Sequence, residues 1–344
     1  MAPGAARDRA TDRRVSSGRC RQGLAAAALA GVLLATGAPT ARAAEPFGFV
    51  ALGDQPYGHE ARTGPAYRRL IELINAEGLP FAIHVGDLKD GLTDCTDELY
   101  DRQYAYFQSY SSALVYTPGD NDWTDCRRQS ADPLERLAAL RSRFFSTRAS
   151  LGQRPLATER QSESQPAHAR HTENRRWWHG GVLFVTFHTV GPDDNDDAQA
   201  PAERAERAGR LAANVAWLQD SFALARRQRA AALVLATQAD PLHRPEQPGG
   251  AARVRKPFRA LYDGTVLPLV RSAGVPVLLV HGDSHHFITD QPFMGIDGKR
   301  LPNLWRLEVP GERRMHAVAV QVDPRAPSPF RFRLIWNPMS PDPS

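Results

Sequence analysis

Residues 81–89 read Phe-Ala-Ile-His-Val-Gly-Asp-Leu-Lys, a short apolar run that stops at Gly86-Asp87. A run of this length reads as a buried strand, and the Gly-Asp pair marks the place where the chain leaves it. The same pattern recurs on both sides. Phe47–Leu52 ends in Gly53-Asp54, and Ala113–Tyr116 ends in Pro118-Gly119-Asp120, followed by Asn121-Asp122. Ala232–Ala236 leads to Gln238-Ala239-Asp240, and residues 277–280 lead to His281-Gly282-Asp283-Ser284-His285-His286. Between the first strands, Tyr67, Leu70, Ile71 and Ile74 recur at helical spacing until Gly78 and Pro80 stop them. Leu211, Val215, Leu218 and Phe222 mark one face of a longer helix.

Alternating strands and helices define an α/β fold with a largely parallel sheet. Three late runs, residues 304–309, 316–322 and 330–336, have no helices between them and are expected to form an antiparallel meander, a second sheet packed on the first. Residues 150–174 are polar and aperiodic, which predicts a surface excursion. In open α/β sheets ligands gather at the carboxyl ends of strands. One Gly-Asp is only a turn signal, but several carboxylates on one rim repel each other unless a cation sits between them.

The order Asp54-Gln55-Pro56, Gly86-Asp87-Leu88-Lys89, Gly119-Asp120-Asn121-Asp122, Gln238 and Gly282-Asp283-Ser284-His285 resembles that of the calcineurin-like metallophosphoesterases, over most of residues 47–323. The family's motifs are D-x-H, G-D-x-x, G-N-H-D/E, a lone His and G-H-x-H. The resemblance implies a four-layer α/β/β/α sandwich of mixed sheets. It also implies that Asp87 bridges two metals, that Asp54 and His285 serve the first, and that Asp120, Gln238 and Asp283 serve the second. Pro56 stands where the family has a histidine ligand, and Asn121 stands at its catalytic histidine. Asp122, His286 and His243 are candidates for the general acid. Tyr57 follows the first motif, not the second, and receives little weight as a ligand. Because oxygen donors outnumber imidazoles, Mn²⁺, Mg²⁺ or Ca²⁺, as one or two ions, is expected over zinc or iron. The implied chemistry is hydrolysis of a small phosphorylated substrate, a monoester or a diester, by a metal-activated water. The competing expectation is a non-catalytic metal- or phosphate-binding protein on the same scaffold.

Residues 1–43 read as an export signal: an arginine-rich start, an apolar run from Gly23 to about Ala38, and a small-x-small Ala41-Arg42-Ala43. The run is shorter than the ~20 residues that span a bilayer, so cleavage without a stable membrane anchor is expected, and residues 44–344 are read as one domain. Removing the leader takes away seven Arg and two Asp, and the formal charge of +5 falls to zero. No nucleic-acid or membrane field is then expected. Cys95 and Cys126 remain, which predicts a disulfide in a periplasmic or secreted protein. His84 and His188 read as packed residues, His168, His171 and His179 as solvated, and the Trp177-Trp178 pair as packing. The acidic run Asp193, Asp194, Asn195, Asp196, Asp197 reads as a solvated turn.

Overall fold

The structure is a computed structural model that describes residues 45–243, 252–295 and 297–341. The leader read from residues 1–43 lies outside the described residues. Among them the strands are β1 (Phe47–Leu52), β2 (Phe81–His84), β3 (Ala113–Tyr116), β4 (Glu159–Arg160), β5 (Arg175–His179) and β6 (Val182–Thr186). They continue as β7 (Ala232–Ala236), β8 (Val277–His281), β9 (Ile288–Asp290), β10 (Leu304–Glu308), β11 (Ala317–Val322) and β12 (Phe330–Ile335). They form two sheets, ordered β12-β11-β1-β2-β3 and β4-β5-β6-β7-β8-β10-β9. Both are mixed: β1, β2 and β3 run parallel, as do β6, β7, β8 and β10, with antiparallel strands at the edges.

Side chains alternate across each strand, and that alternation sorts the core into three layers. Phe49 and Ala51 of β1, Ile83 of β2 and Val115 of β3 face Phe184, Val234, Leu278 and Val280 of the second sheet. On the outer side Val50, Leu52, Ala82 and Leu114 meet Tyr67, Leu70, Ile71 and Ile74 of α1 (Glu60–Ala76), together with α2 (Asp97–Gln108) and α3 (Pro133–Phe144). The outer face of the second sheet, through Leu183, Leu233, Leu235 and Leu279, packs on Trp217, Leu218 and Phe222 of the long helix Pro201–Arg227. The architecture is therefore the expected α/β/β/α sandwich. α1 stops where expected, with Gly78 just beyond it at φ +65°, a conformation that favours glycine.

Two expectations need correction. The late runs do not form one meander: β11 and β12 are a hairpin that closes the first sheet against β1, whereas β10 pairs parallel with β8 in the second sheet. Leu304 faces the outer helices and Leu307 the inter-sheet core, so β10 is buried on both faces, as parallel strands are. The polar stretch 150–174 is not all surface, since Gln161, Glu173 and Asn174 are buried. Much of their polarity is satisfied internally: Asn174 Nδ2 donates to Gln161 Oε1 at 2.8 Å, and Gln161 Nε2 donates to the Ala213 carbonyl at 2.7 Å, although Asn174 Oδ1 finds no donor. Cys95 and Cys126 form the expected disulfide, tying the segment before α2 to the turn after Asp122.

Candidate metal centre

The parallel strands β1, β2, β3, β7 and β8 deliver Asp54, Asp87, Asp120, Gln238 and Asp283 to one rim. Asp54, Asp87, Asp283 and His285 all hold positive φ, 54°, 56°, 72° and 63°, a strained state for these residues that clusters at functional sites. Close approach needs two glycines. A Cβ at Gly119 would lie 2.0 Å from Asp87 Oδ1, and one at Gly282 would lie 1.9 Å from Asp54 Oδ2.

Asp87 is held by neutral donors. Its Oδ2 accepts from Tyr57 OH at 2.8 Å, Asn121 Nδ2 at 2.9 Å and Gln238 Nε2 at 3.2 Å, while Oδ1 accepts from the Asn121 amide at 3.0 Å. Gln238 Nε2 also donates to Asp120 Oδ1 at 2.9 Å, and its Oε1 accepts from Gly191 N at 2.6 Å. Gln238, expected as a ligand of the second metal, thus turns its nitrogen and not its oxygen toward the carboxylates in this structure. Its carbonyl is taken by a backbone N–H, so the nitrogen faces the carboxylates. Asp54 Oδ1 accepts from Asp283 N at 3.0 Å and lies 3.5 Å from His285 Nε2. Asp54 Oδ2 is buried with no hydrogen-bond partner. Asp283 Oδ2 accepts from Asp240 N at 3.0 Å, with Arg255 Nη1 3.9 Å away.

Electrostatics follow from this crowding. Burial, reinforced by the neighbouring carboxylates of Asp120, Asp122 and Asp54, pushes Asp87 well above the usual carboxyl range. Burial and the charge of Asp283 do the same to Asp120. Asp283 is pushed up to about 7 by burial, with the Asp240 N–H opposing and Asp54 adding. Burial lowers His285, but its contact with Asp54 outweighs that and raises it to about 9. Lys89 is buried behind the rim, donates to the Asp90 carbonyl at 3.0 Å and is lowered by burial.

Asp122, expected as a proton donor, sits beneath the rim as a brace. Its Oδ2 accepts from Tyr116 OH at 2.6 Å, Gly119 N at 2.7 Å and Asp87 N at 3.0 Å, and its Oδ1 from Leu88 N at 2.7 Å. His286 is partly buried beside the rim; its N–H donates to Glu308 Oε1 at 2.9 Å, and its Nδ1 lies 3.4 Å from Arg314 Nη1. His243 is exposed. His84 packs as read, with Nε2 3.2 Å from the Gln55 carbonyl. His188 also packs, with Nδ1 2.9 Å from Glu173 and Nε2 accepting from Trp123 at 3.2 Å. His171 is buried 3.7 Å from Glu173, not solvated, because that buried carboxylate draws it in. His179 is half-buried against Phe47 and Phe81. Trp177 stacks on Phe184 and Trp178 is partly exposed. The acidic loop is not the solvated turn expected: Asp194 and Asn195 are buried, because Asp194 pairs with Arg210 and Asn195 with Arg127, while Asp196 pairs with Arg207.

Two rim residues escaped sequence reasoning. Tyr57 reaches Asp87 from the first loop although its offset in sequence differs from a ligand's, and Lys89 carries no local signal that it is buried. Among the described residues no three His, Cys, Asp or Glu side chains close into a ready-made metal cage, because amides and a phenol hold Asp87 instead. The residues present nonetheless fit a divalent cation on the Asp54 side, where a buried carboxylate oxygen lacks any donor.

No protein-family model matches the chain, and no curated protein matches it. Among solved structures, PhoD aligns with a TM-score of 0.53 at 12% identity over 81% of this chain and 64% of that one. A dimetal phosphatase from Danio rerio aligns with a TM-score of 0.48 at 13% identity over 84% of this chain and 98% of that one. GAP50, the anchor in the inner membrane complex of Plasmodium, aligns with a TM-score of 0.49 at 10% identity over 84% of each chain. The likeness to PhoD is one of fold, the two-sheet sandwich with helices on both outer faces.

Proposed function

We propose that the chain hydrolyses a phosphoester outside the cytoplasm, using a divalent cation held by Asp54, Asp87 and His285. The observation that carries this reading is Asp54 Oδ2, a buried carboxylate oxygen without a donor on a rim where Asp87, Asp120 and Asp283 are all raised by burial and mutual repulsion. When bound, the cation neutralises phosphoryl charge and acidifies a water. Oxygen donors with one imidazole favour Mn²⁺, Mg²⁺ or Ca²⁺.

The chain's own residues do the rest. Tyr57 and Asn121 fix the Asp87 carboxylate through its Oδ2. The Asn121 amide cannot transfer a proton as an imidazole does, so its part is to orient Asp87 and the phosphoryl group. His286, adjacent to His285 in the same loop, is assigned as proton donor to the leaving group. Asp120 holds the Gln238 amide, and Asp283 N holds Asp54 Oδ1. The disulfide and the leader pattern of residues 1–43 support an oxidising compartment. Among the described residues no helix is long and apolar enough to cross a membrane.

The nitrogen that Gln238 turns toward Asp87 and Asp120 favours one cation over two. Carried further, it favours the second reading, a non-catalytic phosphate-binding protein. Protein stripped with chelator and reloaded with Mn²⁺, Mg²⁺, Ca²⁺ or Zn²⁺ separates the two by metal stoichiometry and by turnover of p-nitrophenyl and bis-p-nitrophenyl phosphate, with Asp87→Asn as control. Retained metal with Asp87-dependent turnover is expected. Metal without turnover selects the binding reading, and neither metal nor turnover defeats the proposal.

A further inference from the structure

The rim does not account for a cleft of about 530 Å³ that opens beside it, lined by Tyr57, Gly58, Arg62, Asp90, Glu312 and Arg313 among others. Two of these residues also touch the rim. Tyr57 OH donates to Asp87 at 2.8 Å, and Glu312 Oε2 lies 3.5 Å from His285 Nδ1. A molecule whose phosphoryl group met Asp54, Asp87 and His285 would therefore extend its remainder into this cleft.

The charges lining the cleft are unevenly committed. Asp90 is spent on its own loop: its carboxylate accepts from Gly58 N at 2.7 Å, from Leu92 N and Thr93 N at 2.8 Å each, and from Thr93 Oγ1 at 2.9 Å. Glu312 is turned to His285. The guanidinium groups of Arg62 and Arg313, in contrast, have no ion pair or hydrogen bond among the described residues. Arg62 does not stretch away into solvent either, for a Cβ added at Gly58 would lie 2.9 Å from its Nη2. The guanidinium thus lies over the turn that carries Tyr57. Its planar fork of donors matches carboxylate or phosphate oxygens. Leu92, 82% exposed, and Pro341 add apolar surface to the same cleft.

We infer that this cleft binds the non-reacting part of the substrate, and that this part carries a second anionic group, received by Arg62 and Arg313. The inference rests on the hydrolytic reading and names the substrate class that the site would select. A phosphoester bearing a carboxylate or a second phosphate is preferred over one that bears neither.

The test compares phenyl phosphate, 4-carboxyphenyl phosphate and 1,4-phenylene bisphosphate as substrates of the Mn²⁺-loaded protein. The two doubly anionic substrates are expected to exceed phenyl phosphate in kcat/KM by about tenfold, mostly through KM, as a charge-assisted contact would give. The better of the two identifies the second group as carboxylate or phosphate. In the Arg62→Gln/Arg313→Gln double variant the preference should fall to within twofold. Both side chains are exposed, and an unchanged melting temperature shows that the variant is folded.

A readout without turnover separates this inference from the one beneath it. Calorimetry with 4-(phosphonomethyl)benzoate against benzylphosphonate, neither hydrolysable, should show about tenfold tighter binding of the benzoate, lost in the double variant. Arginine-dependent binding without turnover keeps the cleft and removes the hydrolase. Turnover with equal kcat/KM for all three substrates, or equal binding of the two phosphonates, overturns the cleft assignment alone.

Discussion

Asp122→Asn separates a brace from a catalyst. The carboxylate accepts four hydrogen bonds, three at Oδ2, from Tyr116, Gly119 and Asp87, and one at Oδ1, from Leu88. Asparagine keeps a single acceptor oxygen. If that oxygen stays with the three donors, the new NH₂ faces the Leu88 N–H, donor against donor, in a site where Asp122 is fully buried. One stranded buried N–H costs about 1–3 kcal/mol, and the three remaining bonds lose their charge assistance, which roughly doubles such bonds. A total of about 3–5 kcal/mol follows, a fall in Tm on the order of 10 °C for a chain of this size. Burial first, against the opposing hydrogen bonds, pushes Asp122 up to about 6, so thermal melts belong at pH 8, where it is ionised. At pH 5 the native carboxyl is itself protonated and the gap between wild type and variant should narrow. If Tm moves by less than about 2 °C while turnover collapses, Asp122 is doing chemistry and the brace is wrong.

Other perturbations read other parts of the rim. Asp283, raised to about 7, and Asp122, raised to about 6, bind protons in the folded chain that the unfolded chain has released. The stability they confer is therefore present near pH 4 and lost as pH rises through 6 to 7. Because buried His84 and His188, lowered to about 4 and about 3, act in the opposite sense over the same window, the comparison is made against Asp283→Asn: between pH 5 and pH 8 chelator-treated wild type should lose more Tm than this variant, and Mn²⁺ at pH 8 should offset the loss; equal changes in both proteins refute the crowding argument. Gln238→Glu replaces the bridging NH₂ with a carboxylate oxygen, and should destabilise the metal-free protein and raise bound Mn²⁺ from one to two per chain. Elemental analysis that still finds one would show that the amide is not what excludes the second ion. Replacing Cys95 and Cys126 by Ser opens a loop of sequence separation 31 and should cost about 3–4 kcal/mol by chain entropy. A denaturant midpoint unchanged by the double substitution would deny the bridge its stabilising role.

The fold was legible where physics repeats itself. Five apolar runs that each stop at a polar rim specify parallel strands, and the helical spacing of Tyr67, Leu70, Ile71 and Ile74 supplies the outer layer. The sheet to which β10 belongs was not legible. Residues 304–309 are equally apolar whether they pair with β11 or β8, and long-range pairing leaves no local mark. Buried polar clusters were hidden for a related reason. Glu173 looks like surface in sequence, yet it is fully buried because Arg141, His188 and His171 converge on it from distant segments. At the rim, order in sequence located Asp54, Asp87, Asp120, Gln238, Asp283 and His285, but not which atom of Gln238 faces inward. That orientation depends on Gly191, 47 positions away.

The distribution of donors around the carboxylates says where a cation can enter. Asp87 has donors on both oxygens: Tyr57, Asn121 and Gln238 converge on one and the Asn121 backbone amide meets the other. A cation that Asp87 shares with Asp54 and His285 displaces one of these neutral donors or uses the remaining lone pair of Oδ1, which accepts from the Asn121 backbone N–H alone. Asp120 is tied to Gln238 in the same way. Asp54 differs, since one oxygen is already paired with Asp283 N and the other is buried and bare. A buried acceptor left without a donor is costly, so a cation beside Asp54 and His285 satisfies an oxygen that no hydrogen-bond donor among the described residues reaches. His285 is also the rim residue that Glu312 joins to the arginine-lined cleft. The bare oxygen and the proposed substrate cleft thus meet at Asp54 and His285, and a one-cation hydrolase would place its phosphoryl group there.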